Sequence, residues 1–379
     1  MRIGILTFWW SNDNYGQLLQ CYALQKFLRN MGHDPYFIRY RKENDIKKTP
    51  LLFRCLKAFN PVKLVKLIKF KIHTLNVQTE QKRNNRYFDT FRSKYFSMSD
   101  SIYTSINSLR NNPPEADAYI VGSDQVWNNW GYSLKKYKNP LHTYFLDFGR
   151  DDIKRISYAA SWGIKKLKQE YIHEIQKMLK RFDFVSVREK NGVELCRKCG
   201  CNNVQWVCDP TLLLSAREYR SLYQENEIQK PSSPYLLLYM LNNKCNFNIQ
   251  AVYDFADLNN LAVVYVTGNG VIDEKKKTFA TIPEWLYLVD NADYVITNSF
   301  HCGVFSTIFH KQFGIVPLTS KFVEMNERFN SLFEMLGIDD RYINDKDFSI
   351  LKKEYDINEI HISNVFLDII NNNRINYAR

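Results

Sequence analysis

The stretch Ala292-Asp293-Tyr294-Val295-Ile296-Thr297-Asn298-Ser299-Phe300-His301-Cys302-Gly303-Val304-Phe305-Ser306-Thr307-Ile308-Phe309 decides the reading of this chain. Tyr294 to Thr297 is a short apolar, β-branched run of the kind that forms a buried parallel strand. Asn298 and Ser299 behind it are good helix N-cap residues, and the apolar positions from Phe300 to Phe309 cover one side of a helix. Strand, tight turn and helix follow one another. His301 then falls in the first helical turn, where unpaired backbone N–H groups and the positive end of the macrodipole favour an anion. A histidine there admits two readings, a proton-handling group beside a bound anion or the cap of a buried helix.

Working towards the N-terminus, the same alternation recurs. Ile3 to Phe8 reads as a first strand, followed by a loop from Asn12 to Gln17 and a helix from about Leu18 to Met31 that stops at Gly32. Asn14, Tyr15, Gly16 and Gln17 stand in that loop, at the carboxyl end of a strand, where parallel α/β sheets bind ligands. The alternative is a polar turn that uses Asn, Asp and Gly for backbone reasons. The loop lacks both G-x-G-x-x-G and a Walker pattern. Pro35 to Tyr40 supplies a second strand, and Ala118 to Val121 another, which delivers Ser123, Asp124 and Gln125. Arg155 to Gly163 brings Ser161 to a strand end. Phe184 to Glu189 ends on Arg188, either a bidentate holder of phosphate or carboxylate or the partner of Glu189 or an aspartate in a structural ion pair.

Gln229-Lys230-Pro231-Ser232-Ser233-Pro234 is the best linker in the sequence. A second set of alternating units follows it, with strands at 235–240 and 262–267 and helices at 249–258 and 283–290. The expected architecture is therefore α/β, with two Rossmann-like domains facing across a cleft: residues 1–228, carrying an insertion at about 46–100, and residues 229–379. The second domain supplies His301, and further along it Arg328 and Arg341.

The chain of 379 residues carries 52 Lys and Arg against 40 Asp and Glu, a formal charge of +12 that favours anionic partners. Ile46 to Thr79 holds eight of those cations and no acid, interleaved with apolar residues. Such an amphipathic insertion suits either an anionic membrane surface or packing against the domain. No run reaches the roughly 18 apolar residues of a membrane span. The opening residues read as a strand and not as a secretion signal, so the expected location is cytoplasmic. Cys196, Cys199, Cys201 and Cys208 read as a cysteine-rich hairpin more readily than as a zinc site, because the spacing is not that of two C-x2-C knuckles. No acidic cluster suggests a metal, and no nucleic-acid motif is present.

Taken together, the motifs resemble the polysaccharide pyruvyl transferase family. The matches are Asn14-Tyr15-Gly16-Gln17, Gly122-Ser123-Asp124-Gln125-Val126-Trp127-Asn128, Ile156-Ser157-Tyr158-Ala159-Ala160-Ser161, Ser186-Val187-Arg188-Glu189, Asp209-Pro210-Thr211-Leu212-Leu213, Ala292 to His301, and Arg328-Phe329. The resemblance implies a GT-B-like fold and transfer of the pyruvyl group of phosphoenolpyruvate to sugar hydroxyls as a ketal, without a cofactor. It implies His301 and Arg188 at the donor; the acceptor hydroxyl needs a base, for which Asp124 is the candidate, and the candidate substrate contacts are Asn14, Tyr15, Gly16, Gln17, Ser123, Gln125, Ser161, Asn298, Ser299, Arg328 and Arg341. The acceptor it implies is a nucleotide- or lipid-linked saccharide. Ser299 stands where some members place an arginine, which leaves Arg328 or Arg341 to supply that anion contact. A nucleotide-sugar glycosyltransferase and a non-catalytic anion- or membrane-binding module are the alternatives.

Overall fold

The computed structural model describes residues 1–42, 75, 79, 85–129, 131–232, 234–269, 271 and 273–371. Two parallel α/β lobes face one another, the GT-B-like arrangement. In the first lobe, β1 (Arg2–Leu6), β2 (Asp34–Tyr40), β3 (Met98–Tyr103), β4 (Ala118–Val121) and β5 (Lys154–Ser157) form a parallel sheet in the order β3-β2-β1-β4-β5. A further parallel pair, β6 (Val185–Val187) and β7 (Val204–Trp206), continues it beyond β5 through the bridge of Ile156 with Phe184 and the Ser157 N–H bond to the Phe184 carbonyl at 2.9 Å. In the second lobe, β8 (Tyr235–Met240), β9 (Ala262–Thr267), β10 (Tyr294–Thr297) and β11 (Gln312–Ile315) are parallel in the order β11-β10-β8-β9. Strands β4 and β8 are buried along their whole length, as their unbroken apolar runs require in a sheet covered on both faces.

Six helices position the site and the junction: α1 (Tyr15–Asn30), α2 (Phe88–Tyr95), α3 (Ile282–Asp290), α4 (Phe300–Ile308), α5 (Glu327–Leu336) and α6 (Asn364–Asn371). One hydrophobic core runs through both lobes without a break. Its junction is aromatic. Tyr15 at the start of α1 stacks on Trp285 of α3 with ring centroids 5.1 Å apart and planes 8° apart, and its hydroxyl donates to the Ala280 carbonyl at 2.7 Å. Tyr219 meets Phe305 of α4 edge-on at 4.8 Å. Such pairs add about 0.5–1.5 kcal/mol each beyond their burial. Arg86 reaches across as well, donating to the Thr267 carbonyl at 2.9 Å and to Asn269, while the Asn269 N–H donates to Asp13 at 2.9 Å.

Three sequence expectations change here. The insertion does not extend to residue 100, because α2 lies in the shared core and β3 pairs with β2 as the sheet edge. Met98-Ser99-Asp100-Ser101-Ile102-Tyr103 is largely polar, as an exposed edge strand is, and carries little apolar signal. The basic stretch 46–79 lies outside the described residues except for positions 75 and 79. At the other end, α6 leaves the second lobe and packs on the first, with Phe366 against Tyr158 at 4.6 Å and the Lys154 ammonium donating to the Ile369 carbonyl at 3.0 Å. Sequence order alone assigned this helix to the second unit.

The cysteine group is a helix end, not a surface hairpin. Cys196 and Cys199 are buried where helix Lys190–Lys198 closes, and Cys208 lies 3.6 Å from the Tyr158 hydroxyl. Burial pushes the Cys196 thiol well up and that of Cys208 up to about 11. Among the described residues no group of His, Cys, Asp and Glu is arranged to hold a metal ion.

Candidate active site

Asp209 is the hub of the site. It caps the one-turn helix Pro210–Leu213, where Pro210 takes the first position that its missing N–H suits. Its Oδ1 accepts from the Thr211 N–H at 3.0 Å and from the Thr211 hydroxyl at 2.7 Å. With one oxygen fixed, the other is turned to three groups: the Arg188 Nη1 at 3.0 Å, the Ser123 hydroxyl at 3.0 Å and the His301 Nε2 at 3.4 Å. All four side chains are buried. Burial works to raise the Asp209 carboxyl, but His301 and Arg188 beside it outweigh that and hold it well below the usual carboxylate range.

Arg188, the residue directly after β6, has a second carboxylate in Glu189, whose Oε1 lies 3.3 Å from Nε. Glu189 is held in turn by the Ser161 hydroxyl at 2.5 Å and the Trp162 N–H at 3.3 Å. The guanidinium lies over the Phe300 ring at 4.5 Å from its centroid, and Arg328 of α5 approaches the same ring at 5.7 Å. Burial works to lower the Arg188 guanidinium, but Glu189 and Asp209 raise it overall. Among the described residues Arg328 has no carboxylate at ion-pair distance, and burial and then the charge of Arg188 push its guanidinium down to about 10. Among the described residues three buried polar atoms lie here without a hydrogen-bond partner, Arg188 Nη2, Arg328 Nε and the Ser299 hydroxyl, while His301 Nε2 has only the Asp209 carboxylate at 3.4 Å. Buried polar groups are ordinarily satisfied, so unspent donors gathered around two guanidiniums form a site made for an anion.

Two helix starts meet at this point. Ser299 caps α4 by position, with its hydroxyl unused, and the first N–H groups of the helix follow it. From the other lobe, α1 is capped by Asn14, whose side chain accepts from the Gln17 N–H at 3.2 Å, and Gly16 is pressed against the ring of His301. Asp124 completes the opening. It is half-buried, its backbone is left-handed at φ +74°, and its carboxylate accepts from Gln17 Nε2 at 3.1 Å and from the Gln125 N–H at 2.8 Å. A non-glycine residue held there marks a position whose surroundings impose it.

Residues 14–318, most of the chain and every one of these residues except Arg328, match the family described as polysaccharide pyruvyl transferase. The chain belongs to that family. No curated protein matches it significantly. Among solved structures it is similar to UDP-GlcNAc 2-epimerase from Neisseria meningitidis bound to UDP-GlcNAc, at 9% identity over 88% of this chain and 92% of that one, with a TM-score of 0.39. It is similar also to the UDP-GlcNAc 2-epimerase of Methanocaldococcus jannaschii, at 11% identity over 93% and 91%, TM-score 0.43. The calicheamicin glycosyltransferase CalG4 shows 12% identity over 93% and 91%, TM-score 0.34.

For this pyruvyl transferase family member, the structure gathers His301, Arg188, Ser123, Ser161, Ser299, Arg328, Gly16, Gln17, Asn14 and Asp124 around one site. Four other expected residues have their polar groups committed elsewhere. Tyr15 is fully buried in the junction, its hydroxyl spent on Ala280. Gln125 Oε1 accepts from Asn128 at 3.0 Å inside its own loop. The Asn298 amide ties the loop after β8, accepting from the Leu241 N–H at 2.8 Å and donating to the Asn242 carbonyl at 2.7 Å. Arg341 spends its nitrogens on the Phe313 and Lys353 carbonyls and on Gln312, at 3.1, 2.8 and 2.9 Å, so Arg328 and not Arg341 brings the second guanidinium. Asp209 and Phe300 were not assigned a role from sequence. The available signal for Asp209 was an Asp-Pro-Thr cap three residues after the end of a strand.

Proposed function

We propose that this protein transfers the pyruvyl group of phosphoenolpyruvate to a sugar of a nucleotide- or lipid-linked glycan precursor, as a ketal, in the synthesis of a surface polysaccharide. The observation that carries the reading is the pair of unspent guanidinium atoms, Arg188 Nη2 and Arg328 Nε, beside His301. Phosphoenolpyruvate presents a phosphate and a carboxylate on one small skeleton, and two guanidiniums together with the α4 N-terminus suit both.

In this scheme His301 gives a proton to C3 of the enol, and C2 becomes oxocarbenium-like. An acceptor hydroxyl attacks C2, its proton passing to Asp124. The bond from C2 to the phosphate oxygen then breaks, and a second hydroxyl of the sugar closes the ketal. Its proton and the one held by Asp124 restore His301 and leave with inorganic phosphate, so the sum is phosphoenolpyruvate plus diol giving ketal plus phosphate. Arg188 and Arg328 hold the charge that the phosphate gathers as it leaves. Asp209 touches no substrate and acts as a positioning residue for Arg188 and His301. The scheme uses no cofactor and takes the protein to act in the cytoplasm, where the Lys- and Arg-rich sequence 46–79 would be attracted to an anionic membrane face. Among the described residues no helix is long and apolar enough to cross a membrane.

The test is release of inorganic phosphate from phosphoenolpyruvate in the presence of nucleotide- and lipid-linked sugars, with calorimetric titration of phosphoenolpyruvate alongside. Acceptor-dependent release that His301→Ala abolishes supports the reading. Failure of phosphoenolpyruvate to bind overturns it.

A further inference from the structure

The carboxyl ends of β8 and β11 carry a basic cluster that the donor chemistry leaves unused. Lys244 stands in the loop after β8, and Lys321 in the short helix Ser320–Asn326 after β11. Both ammonium groups lie over the same ring, that of Phe322, at 4.5 and 5.1 Å from its centroid. The Lys244 loop is built rather than loose. The Asn298 amide binds it on both sides, and the Thr319 N–H donates to the Lys244 carbonyl at 2.9 Å. Lys244 is half-buried, and burial, then Arg328, then Lys321 push its ammonium down.

Among the described residues none of Lys244, Lys321 and Arg328 has a carboxylate at ion-pair distance. The acids of the same segment face the other way: Glu324 accepts from the Lys165 N–H at 3.3 Å, and Glu327 pairs with the Lys165 ammonium at 3.1 Å. Three like charges held together without a counter-ion cost free energy that a polyanion recovers on binding. A single phosphate engages one or two of them. A diphosphate, with two phosphoryl groups and at least two charges, engages Lys244 and Lys321 together and leaves Arg328 to the donor.

We propose that Lys244 and Lys321, next to Arg328, bind the diphosphate of the acceptor, the linkage common to a nucleoside-diphosphate sugar and a polyprenyl-diphosphate sugar. This deepens the pyruvyl-transfer reading and rests on it. The Asn298 amide ties the Lys244 loop to the residue just before the α4 N-cap, so the acceptor's diphosphate and the donor's anions share one wall of the cleft. The sugar hung from that diphosphate is then carried to His301 and Asp124. Lys244 lies within the residues that match the family description, and Lys321 lies beyond them.

The experiment is calorimetric titration of the full chain with inorganic pyrophosphate, alone and with saturating phosphoenolpyruvate. Pyrophosphate binds in both cases, and Lys244→Gln/Lys321→Gln weakens it by about tenfold or more while phosphoenolpyruvate affinity stays within about twofold. Lys135→Gln/Lys136→Gln, the same change in net charge on the first lobe, leaves pyrophosphate binding unchanged. Lys321→Gln alone, at an exposed position, gives a smaller loss in the same direction. Pyrophosphate displaced by phosphoenolpyruvate, or bound equally by the Lys244→Gln/Lys321→Gln protein, overturns the proposal. Wild type that binds phosphoenolpyruvate but not pyrophosphate overturns this inference alone, whereas wild type that binds neither overturns the pyruvyl-transfer reading as well. UDP and geranyl diphosphate then distinguish the source: the one that binds more tightly than pyrophosphate identifies the carrier, and failure of both to bind sinks the idea.

Discussion

Gly16 and His301, from opposite lobes, are in direct contact, and a Cβ at position 16 would overlap the Cβ and Cγ of His301 and come within 2.5 Å of its Nδ1. The backbone at the start of α1 therefore sets the orientation of the imidazole. Nothing larger than hydrogen fits between them.

Gly16→Ala is expected to lower stability by about 1–3 kcal/mol, the usual cost of overpacking a filled site. Turnover is expected to fall by about a hundredfold, since displacing a reacting group by about an ångström costs that much. Urea unfolding and phosphate release measure the two effects. Wild-type turnover in this variant would show that the contact does not position His301.

Asp209→Asn removes the carboxylate from a buried pair and leaves the Arg188 charge with Glu189 alone. Breaking such a pair costs about 3–5 kcal/mol. Because the folded-state carboxyl of Asp209 is held below its unfolded value, its contribution is present above about pH 4 and is lost as pH falls below that. Wild-type stability is thus expected to drop more steeply than that of Asp209→Asn as the pH is lowered from about 4 towards 2. Parallel curves from acid titration monitored by circular dichroism would contradict the assigned pairing.

Arg328→Gln and Arg341→Gln are expected to separate function from stability. Burial and the neighbouring Arg188 make the charge of Arg328 unfavourable in the free protein, so its removal raises Tm slightly while weakening phosphoenolpyruvate by about tenfold or more. Arg341 bonds two carbonyls and Gln312 and lies over the Phe313 and Tyr355 rings, so Arg341→Gln lowers Tm and leaves the affinity unchanged. Thermal melts and donor titrations of both variants check this. An unaltered donor affinity in Arg328→Gln would remove that residue from the site.

Asp124→Asn keeps a residue type that tolerates the left-handed backbone at φ +74°. If Asp124 takes the acceptor's proton, kcat falls by about 10²- to 10⁴-fold with donor affinity unchanged. A loss confined to KM would assign Asp124 to binding instead.

The strands β4, β8, β9 and β10 were legible to the residue, since each is a continuous apolar or β-branched run, wholly buried in β4 and β8 and buried towards its carboxyl end in β9 and β10. Strand β3, mostly polar, and the return of α6 to the first lobe were not. Local pattern reports whether a segment is buried, but not which neighbour buries it. The same limit applied to the site. Arg188 and His301 stand out in the sequence by their places at strand ends; of the two readings of Arg188 the structure shows the ion pair, with Asp209 and Glu189, and it leaves the Nη2 nitrogen without a partner among the described residues.

The sequence by itself determined the element types, the two parallel α/β units and the family, because these depend on periodicity, caps and motifs that stand close together in the chain. Only the tertiary structure decided that Asp209 is the hub, that Arg328 and not Arg341 supplies the second guanidinium, and that Gly16 orients His301. Those relationships join residues far apart in sequence, and their energies come from shared burial and charge, which take a value only once the two lobes have closed on one another.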